Sequence, residues 1–140
     1  MFSLGNNSRR NLKGVDPKLI EVVQLALTIS KVDFGVPSSG GVRSIDQQRE
    51  LFNNKSSQLD GLTRRSRHQV DLKDGLGKAV DVFAYVDGKA SYDLLHLTHI
   101  ATAMFAAGAT VEVLHNWGGH WRKFVDAPHF EIVEVDHAVT

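Results

Sequence analysis

The chain has 140 residues, 42% hydrophobic and 23% charged, a length for one domain and a balance for a folded globule. Its 16 Lys and Arg offset 16 Asp and Glu, so no net charge draws it to nucleic acid or an anionic membrane. With no cysteine but seven His, disulfide frameworks, thiol nucleophiles and iron–sulfur clusters are excluded, and any metal must be held by imidazole and carboxylate.

The first ten residues, Met1 to Arg10, carry charge with no apolar stretch behind it, so no secretory signal is expected and the protein should accumulate in the cytosol. No uninterrupted apolar run long enough to insert in a membrane follows. Asp16-Pro17 reads as an N-cap with Pro at the first helical position. Leu19, Ile20, Val22, Val23, Ala26, Leu27 and Ile29 continue with helical spacing to about Ser30. Val32 to Val36 reads as a short strand, and Pro37-Ser38-Ser39-Gly40-Gly41 as a turn. Ser44 and Gln47 have capping-box spacing, which predicts a second helix from Ile45 to Asn53.

A polar segment from Asn53 to Arg67 is too short for an interdomain linker. Ala79 to Val86 alternates like a strand and turns at Asp87-Gly88. Ser91 can cap a third helix with Leu94, Leu95, Leu97, Ile100, Ala101, Met104 and Phe105 on its apolar face and Gly108 as its stop. Thr110 to Leu114 and His129 to Val135 read as a pair of strands. Without a βαβ rhythm, the expected architecture is α+β: a single domain over residues 1–140, with a mainly antiparallel sheet flanked by about three helices.

Three residues could carry metal chemistry. His68 ends the polar loop, Asp81 sits among Val80, Val82 and Phe83, and His129 opens the last strand. Two imidazoles and a carboxylate suit a catalytic zinc with an open fourth position. Each alone has a plainer reading: a lone His is more often a hydrogen-bonded core or surface residue, and a strand Asp more often pairs with an Arg. No HExxH motif is present.

The motifs taken together are more specific. Ser66-x-His68, Gly77-x-Ala79-x-Asp81 and Asp126-x-Pro128-His129-Phe130-Glu131, with Asp33-Phe34, Gly41-Val42-Arg43-Ser44, Gln48 and Trp117-Gly118-Gly119-x-Trp121, resemble the zinc peptidases of the D-alanyl-D-alanine carboxypeptidase family. The resemblance covers nearly the whole chain. It is strongest to the L-alanyl-D-glutamate endopeptidase branch, which serves as endolysin in many bacteriophages.

The resemblance implies one Zn²⁺ per chain on His68, Asp81 and His129, with Asp126 as catalytic acid/base. It implies that Arg43 binds and polarises the substrate, and that Trp117 and Trp121 line the cleft, with Gln48 and Ser66 also near the substrate. It also implies a peptidoglycan substrate and a monomer in the host cytoplasm. That monomer neither binds nucleic acid nor inserts in membranes, and it reaches the periplasmic wall after a holin-like partner permeabilises the membrane.

Two features depart from the family pattern. Gln69 to Leu76 lengthens the spacing between His68 and Gly77 and reads as a hairpin or loop extension. His120 stands where relatives carry Asp, as a substrate or supporting contact or as a surface residue. His115 lies near the Trp117 loop, His96 and His99 read as packing or surface residues, and His137 as solvated. Arg64, Arg65 and Arg67 form either a solvated loop or an attraction for acidic peptide stems, and Asp71 and Asp74 lack the ligand density of a calcium loop. Two other functions stay open at this level: a D,D-carboxypeptidase or dipeptidase acting on D-Ala-D-Ala, and a non-catalytic peptidoglycan-binding zinc module.

Overall fold

A computed structural model describes residues 1–134. Helices α1 (Asn6–Asn11) and α2 (Pro17–Ile29) precede strand β1 (Asp33–Gly35) and helix α3 (Ile45–Asn53). Strands β2 (Ala79–Asp81), β3 (Phe83–Val86) and β4 (Lys89–Ser91) lead into helix α4 (Leu94–Val111). Strand β5 (His115–Trp117), a 3-10 turn over Gly118–His120 and strand β6 (His129–Ile132) complete the fold. Two antiparallel sheets have the orders β1-β3-β4 and β2-β6-β5. The α+β class therefore holds, with antiparallel pairing throughout both sheets.

Local chemistry explains the helix starts. The Asp16 carboxylate accepts from Lys18 N at the head of α2, where Pro17 lacks a donor to satisfy. Ser44 and Gln47 close a reciprocal capping box on α3. The core forms where α2 and α4 pack together, through Leu19, Val22, Val23, Leu27, Leu97, Ile100 and Met104. By length and composition α4 could cross a bilayer, yet that same helix puts Leu97, Ile100, Ala101, Met104 and Ala107 into this core.

Beyond the unexpected strand β4, the elements differ from the sequence expectations at four places. The polar α1 carries no amphipathic signal; it is anchored by tertiary bonds, Ser8 Oγ accepting from Val36 N at 3.0 Å and Asn11 Nδ2 donating to Val36 O at 2.8 Å. The expected strand from Ala79 to Val86 is two strands in different sheets, parted at Val82, whose N–H donates to Pro128 O. The cap of α4 is Asp93 rather than Ser91, whose hydroxyl bonds His96 Nδ1 at 2.8 Å instead.

The fourth difference is the end of α4. The helix runs through Gly108 to Val111, Thr110 Oγ1 being satisfied by Ala106 O within the helix, so the strand expected at Thr110 to Leu114 begins at His115. Its partner β6 ends at Ile132, and Val135 and His137 lie outside the described residues. The segment Gln69 to Leu76 forms a tight hairpin-like loop closed by a Val70↔Gly77 bridge and by Asp71 N donating to Leu76 O.

Candidate metal centre and active site

Strand pairing brings two of the three expected ligands side by side. In the β2–β6 register Asp81 stands directly opposite His129, and facing positions of a ladder hold their Cβ atoms about 5 Å apart. His68 arrives from a turn. Its N–H donates to Ser66 Oγ at 3.1 Å, and its carbonyl accepts from Arg43 N at 2.9 Å. His68 Nε2, His129 Nδ1 and Asp81 Oδ1 then lie 3.1 Å from one another, in a mostly buried cluster.

The other ring nitrogens are already committed. His68 Nδ1 donates to Gly41 O at 2.9 Å, and His129 Nε2 to Glu131 Oε1 at 2.9 Å. This fixes both tautomers and leaves one lone pair on each ring aimed at the same point as the Asp81 oxygen. Three acceptors converging without a donor between them need a cation, and these residues could hold a metal ion. Without metal a proton plays that part. Burial disfavours the His129 cation, but bonds to Asp81 and Glu131 outweigh it and push its pKa up to about 9. Burial likewise opposes the Asp81 anion, and the two imidazoles hold it well below the usual carboxylate range.

Arg43 secures the second Asp81 oxygen, with Nη2 donating to Oδ2 at 2.9 Å. Its Nε donates to Ser39 O and its Nη1 to Gln48 Oε1, which leaves one N–H on each Nη uncommitted among the described residues. A cavity of about 310 Å³ adjoins the cluster, lined by Arg43, Ser66, Trp121, Asp126 and both histidines. Burial and the nearby Asp81 charge raise the Asp126 pKa, partly offset by His129, His68 and Arg43. The Trp117-Gly118-Gly119 stretch sets this residue's backbone: Asp126 N donates to Gly118 O, and a Cβ on Gly118 would lie 2.2 Å from Asp126 O.

Residues 1–133 match the family described as phage L-alanyl-D-glutamate peptidase. The chain belongs to that family. Its fold is similar to the crystal structure of the L-Ala D-Glu endopeptidase ChiX from Serratia marcescens, with 38% identity and a TM-score of 0.77 over 91% of this chain and 87% of that one. No curated protein matches the chain.

Against the family expectation the site residues divide. His68, Asp81, His129, Arg43, Ser66, Asp126 and Trp121 gather around one cavity and its metal-ligand cluster. Trp117 does not line it. This ring is buried in the core, stacked 15° from parallel to Phe130, with Nε1 donating to Ala127 O. Gln48 is fully buried and bonds Arg43, Ser57 and Leu59, so it supports the arginine from behind. His120 is exposed and packs on Phe105 and Trp117, and His115 is buried against Phe105 with Nε2 donating to Met104 O.

Sequence reasoning assigned no role to Glu131, although the period of two in β6 puts it on the face of His129. Lys123 and Phe124 also line the cavity, from a loop with no periodic signal.

Proposed function

We propose that the chain is a zinc-dependent endopeptidase that hydrolyses the L-Ala–D-Glu bond of peptidoglycan stems, with Asp126 as general acid/base. The observation that carries the reading is the convergence of two imidazole lone pairs and one carboxylate oxygen, 3.1 Å apart, beside a cavity that Asp126 also lines. Tetrahedral zinc with ligands near 2.05 Å sets such atoms about 3.3 Å apart, and three protein ligands leave its fourth position open. Bound there, the metal would supply Lewis acidity and lower the pKa of a water.

The chain's own groups account for the rest. Asp126, with its pKa raised toward the working range, takes the proton of the attacking water and returns it to the leaving D-Glu nitrogen. The N–H groups of Arg43 left uncommitted among the described residues would donate to the substrate carbonyl oxygen as it gains charge. Arg43 also holds Asp81 so that Oδ1 faces the metal position.

The same reading has the enzyme act as a monomer, made in the host cytoplasm and released to the wall by a holin-like membrane permeabiliser. Mass spectrometry of digested peptidoglycan tests it. New amino-terminal D-Glu, lost on chelation and restored by zinc, is the expected product. Release of terminal D-Ala alone would move the protein to carboxypeptidase chemistry, and intact stems would leave a binding module. Asp126→Ala should keep stoichiometric zinc and lose activity by a factor of about 100 or more; near-native turnover would remove the acid/base assignment.

A further inference from the structure

The metal-ligand cluster has two flanks of contrasting chemistry. The 310 Å³ cavity presents Arg43, Arg67 and Lys123 beside Trp121 and Phe124, three bases against the carboxylates of Asp126 and Glu131, a net-cationic surface for the acidic peptide. A second, larger cleft of about 850 Å³ shares no lining residue with that cavity and is lined by Asn6, Asn11, Asp33, Pro37, Phe83 and Tyr85. Its one acid, Asp33, is matched by one base, Arg10, and the rest of its polar lining is uncharged.

This cleft is edged by aromatic rings. Phe83 and Tyr85, two residues apart in β3, share a face, with centroids 5.0 Å apart and planes at 67°. Tyr92 joins them, 6.5 Å from Phe83. Tyr85 is 47% exposed and Tyr92 56%, so these rings are not core. The cleft connects to Asp81 by two routes. The turn that begins at Pro37 reaches it through Gly40, which accepts from Asp81 N at 2.8 Å, and through Ser39, which accepts from Arg43 Nε at 2.9 Å. Phe83 follows Asp81 by two residues, and the Asp81 charge, after burial, helps to raise the Tyr92 phenol pKa.

Substrate chemistry says what must lie on this flank. In peptidoglycan the L-Ala amino group is joined through a lactyl group to an amino sugar, so the sugar begins about two residue lengths, or about 7 Å, from the scissile carbonyl. An enzyme cutting that bond has the sugar against one wall of its cleft. The D-Glu side of the bond carries the free carboxylates and suits the cationic flank. A sugar is uncharged on its ring, with hydroxyl edges and a C–H face that packs against the negative face of an aromatic ring. We propose that the Phe83–Tyr85–Tyr92 hairpin and the Asn-lined cleft beside it form a glycan subsite for the amino-sugar strand that carries the peptide stem. This rests on the L-Ala–D-Glu reading above.

Two measurements test the subsite. The first compares kcat/KM on a disaccharide-linked stem with that on the same stem freed of sugar and N-acetylated. The wild-type enzyme should favour the sugar-linked stem by roughly ten-fold, a modest stacking energy, and Tyr85→Ala with Tyr92→Ala should bring the ratio near one. The second titrates the peptide-free disaccharide into the zinc-loaded protein and follows tyrosine ring resonances by NMR, which should shift at Tyr85 and Tyr92. A wild-type ratio near one, a ratio unmoved by the double variant, or unshifted tyrosine resonances would overturn the subsite. Failure to cut either stem at L-Ala–D-Glu would overturn the underlying reading instead, and the titration would still decide whether the aromatic face binds sugar.

Discussion

Asp81 shows how one side chain serves two demands. Its Oδ1 faces both histidines, while Oδ2 takes the Arg43 guanidinium at 2.9 Å. The sequence alone offered ligand and arginine partner as rival readings of this residue, and the carboxylate's two oxygens let both hold. Glu131 does for His129 what Arg43 does for Asp81. Its carboxylate accepts the Nε2 proton at 2.9 Å and so aims Nδ1 at the metal position. Burial opposes the Glu131 anion, but the His129 bond and nearby Arg67 hold its pKa below the ordinary value. Glu131→Ala should therefore weaken metal binding about 10- to 100-fold. Glu131→Gln, which keeps an acceptor, should lose less. Titration against a competing chelator reads both, and unchanged affinity in the alanine variant would show that His129 needs no such support.

At the level of elements, the C-terminus of α4 explains why its boundary was hard to read. Glu112 ends the helix in the left-handed region at φ 60°, and Val113 N returns to Gly108 O. A glycine ordinarily marks such a cap. Here the glycine stands four residues earlier, where a Cβ would press to 3.0 Å on the His115 ring. Gly108 thus serves packing rather than termination, and a reading based on stop signals ends the helix too soon. Glu112→Gly should relieve the left-handed strain and stabilise the fold by about 1 kcal/mol or less. Urea denaturation would register it as a higher midpoint at constant slope, and a lower midpoint would contradict the assignment.

The elements with local chemistry were the legible ones: α2 through Asp16-Pro17, and α3 through Ser44 and Gln47. Those fixed by distant partners were not. The polar α1 depends on bonds to Val36, and the break at Val82 depends on a carbonyl 46 positions away at Pro128. The cluster of His68, Asp81 and His129 was legible only as a set, because no short-range spacing joins residues from a turn and two different strands. Trp117 misled for a related reason: glycines beside an aromatic suggest a loop open to ligands, yet Gly119 sits where a Cβ would meet the Trp117 ring at 2.3 Å. Gly119 admits the indole to the core.

Across the whole molecule, an ion group centred on the buried Lys78 ties three regions together. Lys78, at the start of the β2 segment, donates to Asp16 at the head of α2 at 2.8 Å and also bonds Asp74 in the loop after His68. Burial opposes both charged forms, but the pairing prevails, lowering the Asp16 pKa and raising that of Lys78. The sign follows by linkage. The contribution is whole between the ordinary Asp and Lys values, about pH 4 to 10. It fades as pH falls through the lowered Asp16 value or rises through the raised Lys78 value. Lys78→Met should lower the melting temperature at neutral pH and flatten the acid limb of the stability profile. An acid limb identical to wild type would show that other carboxylates govern it.

The convergence of His68, Asp81 and His129 also bears on chain entropy. These residues are separated by 13 and 48 positions, in a chain with no cysteine. An ion held by all three would cross-link the turn after the polar loop to both strands, closing one short ring and one long ring of backbone. Folding meets the entropy of closing those rings before the ion arrives, so, unlike a disulfide, the ion leaves the unfolded ensemble unrestricted and stabilises by binding the folded chain alone. Free metal at 1,000 times its dissociation constant should add about 4 kcal/mol to stability. The melting temperature should therefore climb with the logarithm of metal concentration and drop on chelation, even in Asp126→Ala. A melting temperature indifferent to metal would mean that the ion leaves the fold's stability unchanged.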